Sequence, residues 1–112
     1  MDKITQYQNA IIDFLEAYAT RKYANMPEVE NQVIADRERN HFSLMSVGWH
    51  EDDFVHSCVF HFDITNDKVW IQANWTEIDV AEALMERGVA KSDIVLGFQP
   101  PYARPYSGYA VA

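Results

Sequence analysis

Apolar residues recur at Ile4, Tyr7, Ile11, Phe14, Leu15 and Tyr18, in steps of three and four that line one side of a helix. The spacing predicts a helix from residue 2 to about residue 23, roughly 30 Å long at 1.5 Å per residue. Asn25, Met26 and Pro27 end it, because the residue before a proline avoids helical angles. The period then changes. Residues 29–37, 42–49, 54–64 and 69–74 read as four strands rich in Val, Ile, Phe and Trp. The breaks "ERN", "HEDD" and "TNDK" are short and polar, as hairpin connections are, so the strands form an antiparallel meander.

Side-chain alternation assigns faces. In the third strand Phe54, His56, Cys58, Phe60, Phe62 and Ile64 share one side, expected to be the core face. Val55, Ser57, Val59, His61 and Asp63 take the other. The second strand is two-sided, with Phe42 and Leu44 opposite Met45, Val47 and Trp49, and Trp70 and Ile71 also split. A sheet that is apolar on both sides needs two covers, and the first helix supplies only one.

A second helix is expected over 77–87, with Thr76 as N-cap, Ile78, Val80, Ala83 and Leu84 on its apolar side, and Gly88 as the left-handed residue past its end. "AKSDIVLGF" reads as a short turn and an extended segment over 94–98; Pro100 and Pro101 exclude further helix. The last fourteen residues keep three tyrosines, three prolines and the apolar end "YAVA", where chain ends are usually polar and frayed. The expected architecture is therefore α+β: a long N-terminal helix, a four-stranded antiparallel meander, a second helix and an ordered extended C-terminal tail, forming one domain over 1–112. The tail is expected to lie over the second face of the sheet, within the chain or across a homodimer, so that Tyr106→Asp would cost a few kcal/mol.

Charge narrows the partners. Seventeen acidic and nine basic residues give a net charge of −8, a poor match to a DNA duplex carrying about one negative charge per 1.7 Å. Direct DNA binding by the chain alone is not expected, whereas a basic protein partner is well matched. The N-terminus lacks a basic region followed by an apolar block, no window approaches a membrane span, and a lone cysteine, Cys58, excludes an internal disulfide. A cytoplasmic setting is expected.

Catalytic and metal readings are weak. Four histidines, His41, His50, His56 and His61, show no recognised zinc spacing, and the pairs His56/Cys58 and His61/Asp63 lie on opposite faces. Asp63, Asp67 and Lys68 are the nearest approach to a nuclease cluster, but "DITNDK" has the composition of a hairpin turn. Cys58 reads as a small core residue, and Arg37, Arg39 and His41, interleaved with Asp36 and Glu38, as solvated turn charges. No catalytic residue, cofactor or metal is assigned. The remaining signal is aromatic. Trp49, Trp70, Trp75, Tyr102, Arg104, Tyr106 and Tyr109 are the candidate protein-interface residues, since Trp, Tyr and Arg anchor most protein interfaces.

The segments "ERNHFSLMSVGW", "VWIQANWTE", "ERGVAKSDIVLGF" and "PPYARPYSGYAVA" resemble the XisI family of fdxN element excision controlling factors, over the whole of residues 1–112. Departures are Tyr-Ser-Gly-Tyr where Tyr-Thr-Gly-Phe is expected, Gln99 where histidine is common, and "TNDK" where the turn usually has a glycine. The resemblance implies a non-enzymatic accessory role in DNA rearrangement, controlling removal of an inserted element by a site-specific recombinase. It also implies a companion, a XisH-like protein resembling restriction-type nucleases, as partner alongside or instead of the recombinase. A small metal-dependent enzyme acting on nucleic acid is the alternative.

Overall fold

The computed structural model describes residues 2–112. Helix α1 spans Lys3–Ala19, started by Asp2, whose carboxylate accepts from the Thr5 backbone N–H. It ends before residue 23 because Thr20 turns its hydroxyl back onto the Ala17 carbonyl and a tight turn pairs Tyr23 with Met26. Tyr7, Ile11, Phe14, Leu15 and Tyr18 are all buried, as their spacing predicts.

The strands are β1 (Glu30–Asp36), β2 (His41–His50), β3 (Asp53–Thr65), β4 (Lys68–Asn74) and β5 (Ile94–Leu96), in that order across one sheet. The first four form the expected antiparallel meander. The fifth, expected only as an extended segment, pairs in parallel with β4, so the sheet is five-stranded and mixed. Helix α2 (Val80–Glu86) makes the crossover that parallel pairing requires. It starts later than expected. Asn74 accepts from the Thr76 N–H and hydroxyl, and the Thr76 oxygen accepts from Ile78 N–H, which holds 76–78 in turns; Asp79 is the N-cap. At its other end Gly88 (φ +98) is the left-handed residue: Val89 N–H reaches the Leu84 carbonyl and Gly88 N–H that of Met85, a Schellman motif.

The core lies between the helices and one face of the sheet. Phe14 meets Phe60 and Phe62 edge-on at 5.1 and 6.1 Å, and Tyr18 meets Phe60 at 4.9 Å. Phe42, Leu44, Val69, Ile71, Leu84 and Ile94 complete it. Polar ties fix the periphery. Buried Gln8 donates to the Arg37 carbonyl and the Asn40 side chain, pinning α1 to the β1–β2 turn. The Tyr7 hydroxyl and Lys3 ammonium both reach Asp93 beside β5, at 2.5 and 2.8 Å.

A bulge overturns the single core face expected of β3. Leu44 faces Phe60 while Met45 faces Cys58, leaving Val59 as an extra residue. Val59 and Phe60 are consequently both buried, and the alternation inverts. Phe60, Phe62 and Ile64 face α1, whereas Phe54, His56 and Cys58 lie on the second face, opposite Trp49, Val47 and Met45. A further shift leaves Gln72 of β4 as an extra residue between the Phe62/Ile71 and His61/Ala73 pairs.

The tail corrects a second expectation. It is ordered, but it closes an edge and does not blanket a face. Ala110 N–H bonds the Ile94 carbonyl at 2.8 Å and Ala110 pairs with Val95 along the free side of β5, where an open strand edge would otherwise invite association. Arg104 reaches the second face, its guanidinium 5.1 Å from the Trp70 ring centroid.

Candidate functional site

The second face of the sheet is covered at β4–β5 and open at β1–β3. Ile34, Trp49 and Phe54 are exposed there, at half or more of their surface. Trp49 and Phe54 are register partners with ring centroids 5.1 Å apart, and Phe54 stacks on His56 at 6.1 Å. This aromatic row sits on the part of the β2–β3 hairpin that outruns the sheet. The β3–β4 pairing stops at Phe60, six residues from Phe54, or about 20 Å at the rise of a strand.

The same overhang is incompletely covered on its other side. Where α1 ends, an apolar groove of about 560 Å³ opens between Tyr18, Tyr23, Met26, Val55, Val59 and Trp75. Trp75 stands at its rim, 82% exposed. The Tyr23 hydroxyl and the Ser46 hydroxyl meet at 3.1 Å in its floor, and Ser46 donates to Asn31 at 2.7 Å. The overhang therefore carries apolar surface on both sides.

The seven candidate interface residues do not form one patch. Trp49 lies in the aromatic row and Trp75 across the hairpin from it. Tyr102 and Tyr106 project from the tail, 80% and 90% exposed. Trp70 is half-buried under Arg104, and Arg104 is itself held by the Gln99 carbonyl. Tyr109 is tucked against the core beneath the Lys91 ammonium. Three of the seven, Trp70, Arg104 and Tyr109, are therefore engaged by contacts within the chain. Phe54 was not among them, because strict alternation placed it in the core; the bulge at Val59 puts it outside.

Readings set aside on sequence also find their places. Asn66 and Asp67 both have positive φ, the two-residue hairpin turn expected of "DITNDK", so Asp67 and Lys68 serve the turn. Arg37 bonds Gln8 and Asn9 of α1, and Arg39 bonds Asp36. Cys58 is half-buried on the second face, where burial pushes its thiol up and its proton goes to the Phe60 carbonyl.

One cluster was not assembled from sequence. His41 and Asp63 are register partners on β2 and β3, and His61 follows two residues before Asp63 on the same face. Asp63 Oδ1 lies 2.7 Å from His41 Nδ1 and 3.0 Å from His61 Nε2, while Oδ2 accepts from Gln72 at 3.1 Å. Burial pushes the Asp63 carboxyl up, but the His41 and Gln72 hydrogen bonds and the charge of His61 outweigh it, and the group is held below the usual 3.8. His61 and Asp63 were paired on sequence; the third member comes from a neighbouring strand, which only register reveals.

The XisI protein family model matches residues 1–111. Among solved structures the chain is similar to a XisI-like protein from Anabaena variabilis, at 43% identity and a TM-score of 0.89, covering 97% of this chain and 99% of that one. It is also similar to the fdxN element excision controlling factor XisI from Anabaena variabilis, at 26% identity and a TM-score of 0.82, covering 99% and 100%. No curated protein sequence matches the chain. No helix among the described residues is long and apolar enough to cross a membrane.

Proposed function

This chain belongs to the XisI family, and on that premise we propose that it is a non-enzymatic controlling factor of site-specific DNA element excision, acting in the cytoplasm by binding a XisH-like nuclease-related protein or the recombinase. The observation that supports this reading most is the uncovered aromatic row Trp49–Phe54–His56 on the overhanging hairpin. Clustered exposed aromatics on a rigid strand pair are the side chains that carry binding energy in protein interfaces. The charge of −8 suits a basic, DNA-facing groove on the partner, where it would shield that groove and speed encounter.

Titration calorimetry with the XisH-like protein tests the proposal. A one-to-one complex is expected at micromolar concentration or below, weakening as salt rises, and no complex under those conditions contradicts it. A second copy of this chain competes for the same face, and light scattering of the free protein distinguishes the two occupants. Metal-dependent cleavage of nucleic acid by the chain alone, abolished by Asp63→Ala, would favour the enzymatic alternative.

A further inference from the structure

We propose that His41, His61 and Asp63 form a binding site for one divalent transition-metal ion, open to solvent on the second face of the sheet. The three donor atoms, one from each residue, lie within 4.8 Å of one another. Two imidazole nitrogens and a carboxylate oxygen are a donor set suited to zinc and its first-row neighbours, and unsuited to magnesium or calcium. At metal–ligand bonds of about 2.0–2.1 Å, tetrahedral donors stand about 3.3 Å apart. The separations of 2.7 and 3.0 Å to Asp63 Oδ1 widen by about 0.6 and about 0.3 Å to reach that spacing, and the two imidazole nitrogens, within 4.8 Å of each other, adjust by rotation of exposed side chains.

The supports are built as a metal site needs. All three ligands stand on paired strands in the interior of the sheet, so their backbones are held by ladders on both sides. Asp63 is the most buried of them, and its second oxygen is fixed by the Gln72 amide, an outer contact that orients a ligating carboxylate. The bulge on β4 is what leaves Gln72 as the extra residue there. His41 and His61 are both substantially exposed, which leaves the side of the ion away from the sheet for water or another ligand. Cys58 borders the same depression, but its thiol donates to the Phe60 carbonyl and its sulfur is not among the converging donor atoms. Asp36, on the rim, is occupied by the Glu38 and Arg39 N–H groups.

As a pure hydrogen-bond network, one carboxylate oxygen accepts an N–H hydrogen bond from each imidazole. A single cation replaces those two protons with no change in which atoms converge. The two descriptions differ in what the site does with added metal. Titrations with Zn²⁺, and with Co²⁺ for its visible absorption, should show one site of micromolar affinity or tighter, a four- or five-coordinate Co²⁺ spectrum, and a rise in melting temperature with Zn²⁺. His41→Ala, His61→Ala and Asp63→Asn should each weaken binding by at least tenfold. His56→Ala, which removes an exposed histidine outside the cluster, should leave it unchanged. Because His41 and His61 are exposed, their alanine variants should stay folded, and circular dichroism checks this. No binding at about 100 μM metal, a weak-affinity limit by any measure, overturns the proposal. So does binding that survives His61→Ala but falls with His56→Ala.

Discussion

The two ends of the β2–β3 ladder are made of the same strands and share little else. Near α1, Phe60 and Phe62 have no exposed surface and are clasped by Phe14 and Tyr18. Six residues back along β3, Phe54 is half exposed, its ring set beside those of Trp49 and His56. One end is apolar because it is core, the other although it is not. The difference begins with Thr20, which stops the helix, and with Val59, which turns the remaining aromatic residues outward. What separates fold from surface here is a backbone irregularity, not residue type.

The sharpest contrast follows from one substitution at each end. Phe60→Ala should destabilise the protein by about 3–5 kcal/mol, the usual cost of emptying a packed aromatic site, whereas Phe54→Ala should cost about 1 kcal/mol or less. Urea denaturation of the pair measures this, and equal losses would erase the distinction.

Gly48→Ala probes the root of the overhang. A Cβ there would come 2.6 Å from the Glu28 carbonyl oxygen, and the backbone has φ +150, which an L side chain rarely adopts. The approach of the 28–29 backbone to β2 depends on that absence. A loss of about 2–3 kcal/mol is expected from steric contact and backbone strain, and a neutral effect would show that this segment can move aside.

Asp93 tests the packed end by pH. Burial pushes its carboxyl up, but hydrogen bonds from Lys3 and Tyr7 outweigh it and hold the group below its ordinary 3.8. The unfolded chain then binds more protons than the folded one as pH drops toward that range. The resulting stabilisation is complete above about pH 4 and is lost as pH falls through the folded value. Asp93→Asn should cost about 1–2 kcal/mol at neutral pH and flatten the stability difference between about pH 5 and about pH 3. An unchanged pH profile would place the acid sensitivity elsewhere.

The smallest effect is expected in the tail. Tyr106 is 90% exposed, so Tyr106→Asp should shift stability by no more than about 0.5 kcal/mol. A tail acting as a lid predicts a loss of a few kcal/mol instead. A large loss in that variant would restore the lid.

Periodicity made α1, the four meander strands and the Asn66–Asp67 turn legible, because each is specified by residues adjacent in sequence. The features it missed are specified by residues far apart. β5 is three residues long and gains its place by pairing with β4 and through Asp93, reached by Lys3 and Tyr7 from α1. The bulge at Val59 has no glycine or proline to announce it, so strict alternation carried Phe54, His56 and Cys58 to the wrong face. Thr76 has the chemistry of an N-cap, but Asn74 draws it into a turn and Asp79, three residues on, takes the role. Of the interface residues, Trp49, Trp75 and Tyr102 are exposed, and so is Tyr106, which the tail's role as a lid would have covered; Trp70 and Tyr109 are partly covered by cation contacts no local pattern encodes.

The most direct test of the overhang as a docking surface is calorimetric binding of the XisH-like partner to the Trp49→Ala/Phe54→Ala double variant. A folded, normally melting variant that binds at least tenfold more weakly than the unaltered chain is the expected result. Undiminished binding by that variant would contradict the assignment.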